Sequence, residues 1–243
     1  SSSHLYQGDL TTDENWTETG DKWNISGGKA THTAYSNITP LDFFYYDLGA
    51  GVDAMAMGDW TLKWKTIGGN SAQGGHADIG FTSATTDFGY GTAGTADGIT
   101  ASMNGVHVGQ SGSNNYSTNM IFEAGTTTEN CLMTNWAVFD RYTAYWGEMI
   151  YTESTRTIQI QYYDDDGYSS TKGAECEEVI PTSVEDLRYL AFGSVQGQNR
   201  YLSGAEFDDI ELTYTGITTT TSTSTPANAL DGALDEIATF DVA

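Results

Sequence analysis

Glu206-Phe-Asp-Asp-Ile-Glu-Leu-Thr-Tyr-Thr-Gly216 is the stretch on which the reading of this chain turns. Apolar and β-branched residues at alternate positions predict a strand, in which successive side chains point to opposite faces. On that parity Ile210, Leu212 and Tyr214 form one face, joined at the strand's start by Glu206 and Asp208; Asp209, Glu211 and Thr213 form the other. The apolar set belongs to a core, so Asp208 is expected to point inward near one end of a sandwich. A carboxylate there needs a partner or a cation. The stretch can be a calcium-holding seam, a carboxylate catalytic motif or a plain edge.

Working outward, helical periodicity is nearly absent before residue 226, and short alternating runs are punctuated by Gly, Asn, Asp and Ser. Strands are expected near Trp23–Ser26, Lys29–Ser36, Phe43–Leu48, Asp59–Ile67, His76–Thr82, Asn119–Ala124, Asn135–Asp140, Thr143–Tyr151, Thr155–Tyr163, Leu187–Val195 and Glu206–Thr215. In Asp59–Ile67 the set Trp60, Leu62 and Trp64 faces inward, and in Thr155–Tyr163 the set Ile158, Ile160 and Tyr162 does the same. About a dozen strands joined by Gly-rich turns predict an all-β fold, a two-sheet antiparallel jelly-roll sandwich over residues 1–216. Ser83–Ser117, poor in large apolar residues, reads as long loops over one rim, where binding tends to sit. After Gly216 comes a Thr/Ser-rich linker, 217–226, and then a tail, 227–243, in which Leu230, Ala233, Leu234 and Ile237 recur at helical spacing. The tail is expected to dock on like subunits or on an anchoring surface protein.

Thirty-three acidic against nine basic residues give a net charge of −24, which argues against nucleic acid or an anionic membrane as partners. It suits divalent cations or a salty medium. No apolar run reaches the length of a membrane span. With neither an initiator Met nor a signal peptide, the chain is expected to be a processed product or a fragment. Cys131 and Cys176 can bridge distant strands or remain free buried thiols. N-glycosylation sequons stand at Asn15, Asn24, Asn37 and Asn115, a pattern that a Ser/Thr-rich chain also produces by chance.

Trp16-Thr-Glu-Thr-Gly-Asp-Lys-Trp-Asn-Ile-Ser-Gly-Gly-Lys-Ala30 resembles the opening hairpin of concanavalin A-like, laminin-G-like jelly rolls. Tyr46-Asp-Leu-Gly49 followed by Asp59-Trp-Thr-Leu-Lys-Trp64 is similar to their next inner strands, and Phe207-Asp-Asp-Ile-Glu-Leu212 to their last. The resemblance covers about residues 5–216. It implies a scaffold that hosts lectins, polysaccharide-binding modules, glucanases, adhesion domains and viral surface proteins, so fold alone does not give function.

Glu206, Asp208 and Glu211 match in spacing the catalytic motif of laminarinase- and lichenase-type glucanases. Plain alternation sends Glu211 to the face opposite Glu206, and only a bulge would bring them together. The resemblance also implies a structural calcium held by an Asp such as Asp208 or Asp209, with Asp9 a plausible contributor. Asp164-Asp-Asp-Gly167 fails the EF-hand pattern and reads as a hairpin turn. Gly89-Tyr-Gly-Thr-Ala-Gly94 lacks the strand and helix of a dinucleotide site, and His4, His32, His76 and His107 show no ligand spacing. Most large aromatics should fill the core, leaving Phe88, Tyr90, Tyr116 and Tyr168 in loops as candidate ligand contacts.

These readings converge on a non-enzymatic sandwich displayed outside the cell or on a cell or virion surface, as a structural or adhesive subunit. A soluble lectin-like module that binds glycans is the second reading, and a laminarinase-type hydrolase the third.

Overall fold

The computed structural model describes residues 2–8, 16–32, 36–37, 43–68, 70–72, 76–85, 105–112, 116–124, 127–132, 140, 142–194 and 201–215. Among them there is no helix, and every strand pairing is antiparallel. With strands numbered along the chain, one sheet runs β15 (Thr171–Val179), β14 (Thr157–Tyr163), β13 (Ala144–Thr152), β7 (Asp59–Ile67), β18 (Glu206–Thr215), β4 (Lys29–His32) and β3 (Trp23–Ser26). Its eighth strand, β1 (Ser2–Gly8), also pairs with β18. The facing sheet runs β12 (Thr127–Leu132), β11 (Tyr116–Ala124), β10 (Gly105–Gly112), β9 (His76–Thr82), β16 (Tyr189–Ser194), β6 (Phe43–Asp47) and β2 (Trp16–Glu18). A small third sheet joins β5 (Ser36–Asn37), β17 (Tyr201–Ser203) and β8 (Asn70–Ala72). The fold is the expected two-sheet antiparallel sandwich.

The core fills the space between the two large sheets with alternate residues of their strands. Trp60, Leu62 and Trp64 of β7 are buried, as are Ile158, Ile160 and Tyr162 of β14 and Ile79, Phe81, Val106 and Val108 across the gap. Trp60 meets Phe81 at a centroid distance of 4.7 Å, which places the two sheets in direct contact. Gly147 of β13 faces inward because a Cβ there would fall inside the Trp64 indole. That glycine lets a tryptophan lie flat against the neighbouring strand. Loop 48–58 closes one end: the Trp60 indole N–H donates to Ala54 O (2.7 Å) and the Tyr151 hydroxyl to Met55 O (3.0 Å).

Two expectations about organisation change. Ser83–Ser117, expected as loop, contains β10, which lies in the interior of the seven-stranded sheet. Its Gly-Val-His-Val-Gly-Gln-Ser-Gly sequence has two large apolar residues, Val106 and Val108, both in the core, and its many small residues carry no strand signature. The expected strand set also grows, by β1, β12 and β15 among others; in β15 the Lys-Gly-Ala-Glu-Cys-Glu-Glu run hides a strand behind the charge that protects a sheet edge. Cys176 of β15 is buried and disulfide-bonded, and the chain's one other cysteine, Cys131, is on β12. β12 and β15 are the edge strands of different sheets and lie against each other, so the bridge staples one side of the sandwich. The expected strand at Asn135–Asp140, the linker 217–226 and the tail 227–243 lie outside the described strands and residues.

The decisive departure is in β18. Asp208 pairs with Lys65 of β7 and Glu211 with Lys63, so Asp209 and Ile210 together oppose the single Trp64. This is a β-bulge. Asp209 takes φ +47°, a left-handed conformation that Asp tolerates better than most residues. The reason is in the parity of the strand. Phe207 is odd-numbered and Ile210 and Leu212 are even, yet all three are buried. A regular strand that buries Ile210 and Leu212 would put Phe207 in water and two carboxylates, Glu206 and Asp208, in the core. Burying a phenylalanine is worth about 1.5–3 kcal/mol, and the charge burial costs several more. Against that, one left-handed residue costs about 1–2 kcal/mol, so the bulge wins. The expectation that Asp208 points inward is therefore overturned.

The bulge sets a stability test. Asp209→Val places a β-branched side chain at positive φ and is expected to cost about 1–2 kcal/mol, while Asp209→Gly should keep stability within about 1 kcal/mol of the parent or raise it. Denaturant titration of both variants checks this, and a neutral Asp209→Val would mean that the strand is regular.

Candidate functional site

With the bulge in place, Glu206, Asp208, Glu211 and Thr213 all sit on the outer face of the eight-stranded sheet. Register across β14, β13, β7 and β18 arranges that face in rungs. Tyr163, Trp146, Lys65 and Asp208 stand side by side in one. Gln161, Glu148, Lys63 and Glu211 form the next, and Gln159, Ile150, Thr61 and Thr213 the third. All twelve are partly exposed, neither packed away nor free in solvent. A depression of about 230 Å³ lies beyond the third rung, lined by Asp59, Trp60, Thr61, Ile150, Tyr151, Thr152 and Thr213.

The charges on this face are interlocked. Lys65 Nζ is 3.1 Å from Asp208 Oδ2, Lys63 Nζ is 3.3 Å from Glu148 Oε1, and Lys29 Nζ donates to both Glu206 oxygens at 2.7 and 2.8 Å. The hydrogen bond to Asp208 holds the Lys65 ammonium above its usual range, against the opposing effect of its partial burial. The Tyr163 hydroxyl donates to Glu148 Oε2 at 3.1 Å. Tyr168, in the β14–β15 turn, takes φ +52° and folds back over the face: Lys63 Nζ lies 4.3 Å from its ring centroid, and Tyr163 meets it edge-on at 5.2 Å. Asp165 shapes that turn by accepting the Ser169 and Ser170 N–H groups, so Asp164-Asp-Asp-Gly167 is a hairpin turn.

The expected site residues fare differently. Glu206, Asp208 and Glu211 are brought onto one face, where plain alternation would separate them, and β18 is an interior strand with β7 on one side and β4 and β1 on the other. Tyr168 is on this face. Tyr116 opens β11 and is not in a loop; Phe88 and Tyr90 lie outside the described residues. Asn24 is exposed on β3 and Asn37 is in β5, whereas Asn15, Asn115 and Asp9 lie outside the described residues. Of the residues expected to hold calcium, Asp208 is engaged by Lys65, and among the described residues, which do not include Asp9, no group of three or more acidic, His or Cys side chains is placed to hold a metal ion.

Sequence reasoning missed Trp146. In Tyr145-Trp146 both parities carry a large aromatic, and the strand is decided by Tyr145, Gly147, Met149 and Tyr151 going inward. The available signal is Gly147, small because Trp64 covers it. A second missed pair is Asp78 and His107, with side chains 0 % and 1 % exposed and Nδ1···Oδ2 at 2.5 Å. They alternate with core residues of β9 and β10 and so belong to the outer face of the seven-stranded sheet, where they are nevertheless buried. Their separation of 29 residues leaves no spacing motif.

Burial, reinforced by the negative charge of Glu148, pushes the Tyr163 hydroxyl up to about 12, and Tyr168 is raised by the same causes. A folded-state value above the ordinary value of 10 means that the native state holds the proton more tightly. That stabilisation is complete below about pH 10 and is lost as pH rises towards about 12. Stability is expected to fall across that window, and Tyr163→Phe to make the fall shallower. Melting curves across the window check this; an unchanged slope in the variant would contradict it.

No family model matches this chain, and no curated protein matches it in sequence. Solved structures do match in fold. The CBM2 module of the evolved Dit of Lactobacillus casei BL23 phage J-1 superposes with a TM-score of 0.55 at 7 % identity, covering 89 % of this chain and 97 % of that one. Lectin UEA-II complexed with galactose gives 0.53 at 9 % identity, covering 88 % and 99 %. The GH43 protein BlXynB (K247S) of Bacillus licheniformis gives 0.52 at 10 % identity, with 85 % of this chain aligned to 38 % of that one. Identities this low speak for the fold alone, a two-sheet jelly-roll sandwich.

Proposed function

We propose that this sandwich is a non-enzymatic carbohydrate-binding module, displayed outside the cell or on a virion surface, and that a glycan lies on the outer face of its eight-stranded sheet. The observation that carries the reading is the set of rungs beginning with Tyr163, Trp146, Lys65 and Asp208. Sugars offer an apolar C–H face and a ring of hydroxyls, and are held by aromatic surfaces beside hydrogen-bonding polar groups. The face supplies both, on rigid strands. The sugar-binding names of two fold neighbours, a CBM2 module and a galactose-bound lectin, support it as analogy.

Hydrolysis is the weaker reading, even though Glu206 and Glu211 share a face. They stand opposite Ile67 and Lys63, four residues apart on β7, which puts their Cα atoms roughly 13 Å apart along the strand. A retaining pair needs carboxyls about 5–5.5 Å apart. Glu206 is moreover committed through both oxygens to Lys29. A nucleophile or acid would have to leave that lysine and reach along the strand.

Glycan-array binding of the full chain tests the reading. Trp146→Ala is expected to weaken binding about tenfold, the equivalent of one good aromatic contact, with an unchanged melting temperature. Neither the parent nor Glu206→Gln should release reducing sugar from laminarin or lichenan. An array without binding, or hydrolysis that Glu206→Gln abolishes, would overturn the proposal.

A further inference from the structure

We propose that Tyr142 is an additional sugar contact at the Glu206 end of this face, and that the occupant is a neutral glycan long enough to reach it from Trp146. This rests on the glycan-binding reading and extends it to a residue outside the rungs. Tyr142 is 61 % exposed and takes φ +58°. A bulky side chain in that conformation is strained, and burial does not offset the strain here. Local strain of this kind gathers at ligand sites.

The backbone fixes where the ring lies. Tyr142 N–H donates to Gly68 O at 3.0 Å, continuing the β13–β7 pairing one step past Ala144 and Ile67. Ile67 in turn stands opposite Glu206. The ring reaches across to the approach of β18, where Gly204, at φ +69°, lies beneath it: a Cβ built on Gly204 would sit 3.4 Å from Tyr142 Cε1. Tyr142 is therefore held at one end of the face with most of its surface in solvent. The left-handed residues Asp209 and Tyr168 belong to the same face.

Charge selects the ligand class. The lysines of the face, Lys29, Lys63 and Lys65, are each ion-paired with a carboxylate. An acidic glycan would find its cations already engaged and would meet a chain of net charge −24. A neutral glycan meets paired charges as polar groups, and its binding should be nearly independent of salt.

The test is calorimetric titration of the full chain with neutral gluco- and galacto-oligosaccharides, and with oligogalacturonate as the acidic counterpart. Tyr142→Phe should bind like the parent. Tyr142→Ala and Tyr142→Gly should each bind about fivefold more weakly. Tyr142→Gly should at the same time melt no lower than the parent, because glycine accepts positive φ. A contact that served only the fold would move stability and leave affinity alone. If Trp146→Ala loses binding while Tyr142→Ala and Tyr142→Gly keep it, the Tyr142 proposal falls and the glycan face stands. Preference for oligogalacturonate overturns the neutral assignment. A parent chain that binds none of these ligands overturns both the inference and the reading beneath it.

Discussion

The placement of Phe207 and Ile210, three residues apart and both buried, is the constraint on which the site depends. A strand of strict two-residue period cannot satisfy both, so one extra residue is inserted at Asp209. That insertion falls where β18 changes neighbours, from β4 at Phe207 to β1 at Ile210. The ladder is already interrupted there on one side. The apolar demand of the core thus decides where the acidic residues of the last strand go.

The resulting sheet has an inner surface packed by indoles and aliphatic side chains, and an outer surface that is a grid of alternating charge and aromatic groups. Ion pairs so exposed add little to stability. Their effect is positional: each lysine is fixed by a carboxylate, and Glu148 is held by Lys63 on one side and by the Tyr163 hydroxyl on the other. The grid gathers three of the chain's nine basic residues, Lys29, Lys63 and Lys65, each paired with a carboxylate, on a protein of net charge −24. The Tyr45–Tyr189 pair on the seven-stranded sheet, where Arg188 is spent on Asp47, offers aromatics without such a grid.

The inner faces of β7 and β14 are legible in the sequence because each alternates cleanly between large apolar and polar residues. The bulge is not, since nothing in Phe207-Asp-Asp-Ile210 marks which Asp is the insertion; only the requirement that Phe207 also be buried reveals it. β10 is illegible because the interior of a sheet needs little bulk where glycines allow close approach, as at Gly80, whose Cβ would run into the His107 backbone. Trp146 is hidden by Tyr145 beside it. The Asp78–His107 pair is hidden by distance along the chain. In each case a long-range partner, absent from local pattern, makes the choice.

Whether the outer face of the eight-stranded sheet is where this protein meets its ligand is addressed most directly by hydroxyl-radical footprinting of the full chain, with and without saturating neutral oligosaccharide. Ligand is predicted to protect Trp146, Tyr163 and Tyr168 from oxidation and to leave Tyr45 and Tyr189 unchanged. Protection of Tyr45 and Tyr189, with Trp146 still reactive, would contradict that placement.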